Sequence, residues 1–259
     1  MNDKTKLTQA AILTIVAIGF CIATAYIPFL GLLMVVVPVP YAIIATMTGH
    51  KYALISAIAS FFILILTVDF VYALNLIVMS ILPGIAVGYM INKDSNIEDG
   101  NKSFTPIFFG TIAFIISIIV FFAISKVLFN IDLLETFSEM IKTTVETQFS
   151  IMESANIMPK GDIAPKDIIK VMQNIISTML FAYSIIASII TYYLEAFILR
   201  RIKRLNYKLP KFSDFYLPGN AIITSLLLYL LTMFLGMLNI GLYTDAIILN
   251  VQLIFSILF

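Results

Sequence analysis

Apolar runs of about twenty residues recur along the chain, separated by short polar or proline-containing breaks. A run of that length matches the hydrocarbon core of a bilayer, and only a helix satisfies its own backbone there. The pattern therefore predicts membrane-spanning helices over 7–27, 29–48, 52–68, 70–91, 106–128, 168–199, 217–238 and 242–259. Pro38-Val39-Pro40 falls inside the second run and predicts a kink or break there. Pro83-Gly84 falls inside the fourth. Gly49-His50-Lys51 reads as a tight turn, and 92–105 as a loop. The eighth run is still apolar at Phe259, the last residue, which leads us to expect that the chain is a piece of a longer protein.

One long segment, 129–167, breaks the pattern. Leu134, Phe137, Ile141, Val145, Phe149 and Met152 recur at steps of three or four, with Glu135, Glu139, Lys142 and Glu146 between them. That periodicity predicts an amphipathic helix too polar to span, lying on the membrane surface. Pro159 to Pro165 ends it. The expected fold is thus all-α, a polytopic bundle of about eight transmembrane helices forming a single integral membrane domain over 1–259.

Composition supports lipid as the solvent. The 259 residues are 61% hydrophobic and only 12% charged, about half the charge of an ordinary soluble domain. Mean hydropathy is +1.02. A net charge of +1 argues against nucleic acid as a partner. One cysteine excludes an intramolecular disulfide, and with a single histidine beside it a His/Cys metal site is not expected. No phosphate loop, metal-ligand spacing or nucleophile elbow is present, so neither a cofactor nor an enzymatic activity is expected.

The basic residues orient the bundle. With the N-terminus in the cytoplasm, Lys4, Lys6, Lys51, Lys93, Lys102 and the loop carrying Arg200, Arg201, Lys203, Arg204, Lys208 and Lys211 all fall inside. The outer segment 129–170 holds seven acids and four lysines, a net −3. This predicts a plasma-membrane protein with its N-terminus in the cytoplasm, whose partner, first of all, is the lipid bilayer. Arg200, Arg201, Lys203 and Arg204 would face anionic inner-leaflet lipid.

Ionisable groups within spans are few: Asp69, Glu195 and Asp245. Such groups are functional candidates by default. Glu195 lies about one turn from the basic end of its span, where Arg200 or Arg201 would neutralise it. Asp69, Tyr72 and Asn75 lie within an arc of roughly 120° on one helix and descend roughly 9 Å into the membrane. A charge, a ring and an amide suit a small polar solute, and Asn239, Tyr243 and Asp245 would supply an opposite wall. The plainer account is that Asp69 caps its helix, Tyr72 sits in the interfacial belt and Asn75 bonds a neighbouring helix. On the first span Ala17, Cys21 and Ala25 form a small-residue stripe that lets another helix approach closely. That helix belongs either to a second membrane protein or to the same bundle.

The chain resembles the YybS-like multi-pass membrane proteins, a domain family of unknown function (DUF2232). The resemblance rests on Arg200-Arg201 ending the sixth span and on Pro210, Phe212, Leu217 and Pro218 leading into the seventh. The Pro-rich second span with Gly49 after it, and Asn75 to Gly88 in the fourth, add to it. The first half is also similar to the S components of energy-coupling-factor vitamin transporters. That likeness implies a solute-binding transporter subunit that docks a partner through Ala17, Cys21 and Ala25, although Cys21 stands where alanine is usual. The alternative is a structural or regulatory membrane protein, a scaffold for envelope machinery. An intramembrane enzyme comes third.

Overall fold

The computed structural model describes residues 3–95, 104–155, 157, 164–202, 222–223, 226–227, 229–230 and 244–258. The regular elements among them are all helical. Five are long and apolar enough to cross a membrane: Asp3–Tyr26, His50–Thr67, Phe70–Lys93, Thr105–Phe129 and Ile176–Arg201. The seventh predicted span lies almost wholly outside the described residues. The chain divides into two compact units, one of Met1–Phe121 with Tyr183–Phe215, the other of Phe122–Ala182 with Tyr216–Phe259.

In the first unit α1 (Asp3–Tyr26) leads into a 3₁₀ helix, Pro28–Val36. The α-helix proper, α2, starts only at Pro38 and ends at Thr48. Pro38 and Pro40 sit in its first turn, where backbone N–H groups have no helical acceptor in any case. The second span therefore changes from 3₁₀ to α geometry at Val37, whose backbone stays right-handed helical at φ −53° and ψ −35°. Gly49 joins α2 to α3 (His50–Thr67) with φ +95°, a backbone conformation open to glycine and costly to most other residues. Its N–H bonds Ala45 O at 3.0 Å, and its C=O accepts from Ala53 N at 3.2 Å. One residue thus closes one helix and opens the next.

The fourth span is α4 (Phe70–Leu76), a π-helical turn over Ile77–Ile81, and α5 (Leu82–Ser95). Pro83 cannot donate to the turn before it, and its ring crowds the carbonyl four residues back. Widening that turn to π geometry relieves both problems and keeps the span continuous. α6 (Thr105–Phe129) and α9 (Ile176–Arg201) add their Thr105–Phe121 and Tyr183–Arg201 stretches to this unit.

The tightest packing joins α2 to α5. A Cβ placed on Gly84 would lie 2.9 Å from Pro38 C and Cα, and one on Gly88 would lie 2.8 Å from Ala42 C and Cα. Lipid tails are as apolar as leucine, so helices in a membrane associate through close van der Waals contact. Glycines four apart on α5, against Pro38 and Ala42 on α2, provide that contact.

In the second unit α7 (Leu133–Ser154) occupies most of the segment read as amphipathic. Asp132 caps it, Oδ1 accepting from Leu134 N at 3.1 Å and Glu135 N at 3.3 Å, while Lys126 Nζ bonds Oδ2 at 3.0 Å. These bonds, the lysine's first, hold the Asp132 carboxyl below the usual carboxylate range. Ile141, Val145, Phe149 and Met152 form its covered face, and Leu134, Phe137, Met140 and Ile151 are exposed. α8 (Pro165–Asn174) packs on α7, where Gln173 bonds Ser138. The sixth predicted span began at Ile168. The structure instead ends α8 at Asn174 and starts the apolar helix α9 at Ile176. α10 (Thr244–Leu258) bonds α9 through Asn250, whose Oδ1 accepts from Thr178 Oγ1 at 2.7 Å and Thr178 N at 3.0 Å.

Candidate functional site

The polar groups predicted for the Asp69 end are largely used by the fold. Asp69 is the N-cap of α4, its Oδ1 accepting from Tyr72 N at 2.7 Å. Tyr72 Oη donates to Cys21 O at 2.7 Å and lies 2.9 Å from Thr24 Oγ1, which ties α4 to α1. Asn75 is half-buried and has no hydrogen-bond partner among the described residues. Asp245 lies in the first turn of α10, in the second unit. Asn239 and Tyr243 fall outside the described residues, as do Lys203 and Arg204. Arg200 and Arg201 are exposed at the end of α9.

The small stripe of α1 faces inward. Ala17 and Cys21 are fully buried, Ala25 partly, and the first two pack in a core with Val37, Tyr41, Ile44 and Ala57. Their close approach is made to α2 and α3 of the same bundle. A docking partner would have to displace those helices, so Ala17 and Cys21 are corrected from partner surface to internal packing.

A different cluster emerges on α9. Ser184, Ala187, Ser188, Thr191, Tyr192, Glu195, Ala196 and Leu199 are all fully buried. They recur at alternating steps of three and one, one stripe of a helix. The outward residues Ile186, Leu194, Phe197 and Ile198 are apolar. The helix is thus polar inside and apolar outside, the reverse of a soluble amphipathic helix. Ser188 Oγ donates to Ile107 O on α6 at 2.7 Å, and Thr191 Oγ1 to Ala187 O at 2.7 Å.

Glu195 is the one acidic or basic side chain buried among the described residues. Its Oε1 meets Thr46 Oγ1 on α2, and its Oε2 has no hydrogen-bond partner among the described residues. Thr46 Oγ1 also donates to Gly88 O on α5 at 2.8 Å, and Asn92 Nδ2 donates to Thr46 O at 2.6 Å. The register explains the meeting. Pro38, Ala42 and Thr46 on α2 run beside Gly84, Gly88 and Asn92 on α5, one turn per step. The glycines bring the backbones close enough for a threonine hydroxyl to reach across to a main-chain carbonyl. The salt bridge expected between Glu195 and Arg200 or Arg201 does not form; the carboxyl points into the bundle, and the arginines lie at its exposed end.

This cluster lies toward one end of the first unit. Asp3 reaches Tyr52, which puts the starts of α1 and α3 together; Tyr26 Oη bonds Thr67 O, which puts their ends together. Lys93 follows Asn92, and Arg200 follows Leu199. The described basic residues Lys4, Lys6, Lys51, Lys93, Arg200 and Arg201 therefore share the end nearest Glu195.

Five apolar spans around a buried polar stripe describe a multi-pass membrane protein, and the sequence profile of DUF2232, described as a predicted membrane protein, matches residues 14–259. The chain belongs to the DUF2232 family. The match takes in Thr46, Gly84, Gly88, Asn92 and Glu195. No curated protein and no solved structure matches this DUF2232 member.

Sequence reasoning flagged Glu195 but assigned it the wrong neighbour. It missed Thr46 and Asn92, which look ordinary near helix ends. The signal that could have found the site is the spacing of Ser184, Ser188, Thr191 and Glu195 in an otherwise apolar helix, one polar stripe that lipid would not tolerate outward.

Proposed function

We propose that this DUF2232 member is a non-enzymatic, solute-handling component of a bacterial plasma membrane, a transporter subunit whose working residue is Glu195. The observation that carries the reading is a fully buried carboxyl, one oxygen without a partner, in a membrane-spanning helix. A bundle that only had to hold together would gain by placing leucine there, because burying a carboxyl with one oxygen left without a hydrogen bond costs free energy. Residues of this kind inside membranes mark ion and solute paths. The N-terminus faces the cytoplasm in this reading, since the basic residues share one end of the first unit.

Native mass spectrometry of the protein extracted in lipid nanodiscs tests the proposal. A small solute of reproducible mass, retained by the wild type and lost in Glu195→Leu, is the expected result. A wild type that carries no solute but brings down a second membrane protein would replace this reading with the scaffold role.

A further inference from the structure

The hydrogen-bond count around Glu195 does not close with the hydrogens that an ionised site supplies. A threonine hydroxyl carries one hydrogen. Thr46 faces two acceptors, Gly88 O at 2.8 Å and Glu195 Oε1. If Thr46 donates to the carbonyl, its lone pairs and those of Glu195 Oε1 face each other. If it turns to Glu195, it abandons the carbonyl, and Oε2 still has no donor. Asn92 donates to the Thr46 main-chain carbonyl, not to the carboxyl, so it supplies no hydrogen to Oε2. No charged side chain among the described residues acts on Glu195; burial and the Thr46 hydroxyl are the influences on it. On its own helix the titratable neighbour on the same face is the phenol of Tyr192, and the faces of α2, α5 and α6 packed around Tyr192 carry Val39, Ile43, Val87, Ile91 and Ile107.

One added positive charge resolves the count. We propose that Glu195, Thr46 and the Gly88 carbonyl bind a single exchangeable monovalent cation, a proton or a sodium ion. The proposal rests on the reading of Glu195 as a working residue. With a proton, Glu195 Oε1–H donates to Thr46 Oγ1, and Thr46 O–H donates to Gly88 O. Each hydrogen then has one acceptor, and Oε2 is left as a neutral carbonyl oxygen, far less costly to bury than a carboxylate. With sodium, the ligands are all oxygens, as a hard cation requires: the two carboxylate oxygens, Thr46 Oγ1 and Gly88 O. The exchange balances as carboxylic acid plus Na⁺ giving sodium carboxylate plus H⁺ released. Exposed Arg200 lies five positions beyond Glu195, roughly 7.5 Å along the helix axis, so the site lies close to the basic end.

Infrared spectroscopy of the purified protein in lipid reads the site directly. The carbonyl stretch of a protonated carboxyl is assigned to Glu195 by its loss in Glu195→Gln, a change of nearly equal size and shape, with the amide bands checking that the helices are kept. The band should be present at mildly acidic pH and vanish as pH rises. Sodium chloride in place of choline chloride at fixed pH separates the occupants. Loss of the band on adding sodium identifies a sodium site, and indifference to sodium with loss at high pH identifies a proton site. Thr46→Val should move the band to higher frequency, as a carboxyl that loses its hydrogen bond does. Two results would overturn the proposal: no Glu195 band at any pH with no sodium effect, or a band that neither pH nor sodium moves. A band that titrates in a protein that retains no solute keeps this site and removes the carrier reading.

Discussion

Replacing Gly88 with alanine adds one methyl group at the tightest point of the α2–α5 contact. The new Cβ would sit 2.8 Å from Ala42 C and Cα, and closer still to its carbonyl oxygen. Comfortable carbon contacts start near 3.5 Å, so the helices must part by roughly 1 Å. That movement carries the Thr46–Gly88 bond from 2.8 Å, and the Asn92–Thr46 bond from 2.6 Å, to or beyond the limit of a useful hydrogen bond. Overpacking costs about 1–3 kcal/mol. Two membrane hydrogen bonds add about 0.6 kcal/mol each on average. The expected loss is about 2–4 kcal/mol of unfolding free energy, measured by steric trapping in bicelles. Gly19→Ala is the control, because nothing lies within 4 Å of its Cβ; there alanine should be neutral or improve helix propensity by up to about 1 kcal/mol. If Gly88→Ala proves as stable as Gly19→Ala, the close packing described for α2 and α5 is wrong.

Ala17→Leu should destabilise the first unit itself, since Ala17 is fully buried among its own helices; a variant that melts like the wild type would return that stripe to the surface. In a Cys21→Ser background, a cysteine at Glu146 should react with an impermeant thiol reagent in intact cells, and one at Lys51 only after permeabilisation; the reverse pattern would invert the orientation. Folding lowers the Asp132 carboxyl from its ordinary range, so the capping contribution is present at neutral pH and is lost as pH falls through that depressed value. Amide exchange at the start of α7 should therefore quicken on strong acidification in the wild type and be fast already at neutral pH in Asp132→Ala; equal protection in the two would show that the cap contributes nothing.

Much of the architecture was legible because a bilayer imposes few solutions. Run length gave the long spans, Gly49 the turn, and a three-to-four periodicity the amphipathic α7. An irregularity at Pro38 was visible, but not that the half before it would become 3₁₀. The π turn ahead of Pro83 was hidden, because a single proline allows either a kink or a widened turn, and packing decides. The site was harder. Thr46 and Glu195 are 149 positions apart, and nothing local announces that Gly84 and Gly88 bring α2 close enough to present Thr46. The Asp69 cluster looked better in sequence because its residues share one helix, yet Asp69 and Tyr72 hold α4 in place with the very groups a ligand would need.

The central claim is that Thr46 and Glu195 meet inside the membrane at a carboxyl kept for work rather than stability. A double-mutant cycle measures both parts, with Thr46→Val, Glu195→Leu and the pair unfolded in the same bicelles. The account predicts that Glu195→Leu alone is neutral or stabilising, and that the two changes couple by about 1 kcal/mol, within the range of membrane hydrogen bonds. Additivity within about 0.3 kcal/mol, together with strong destabilisation by Glu195→Leu alone, would contradict it.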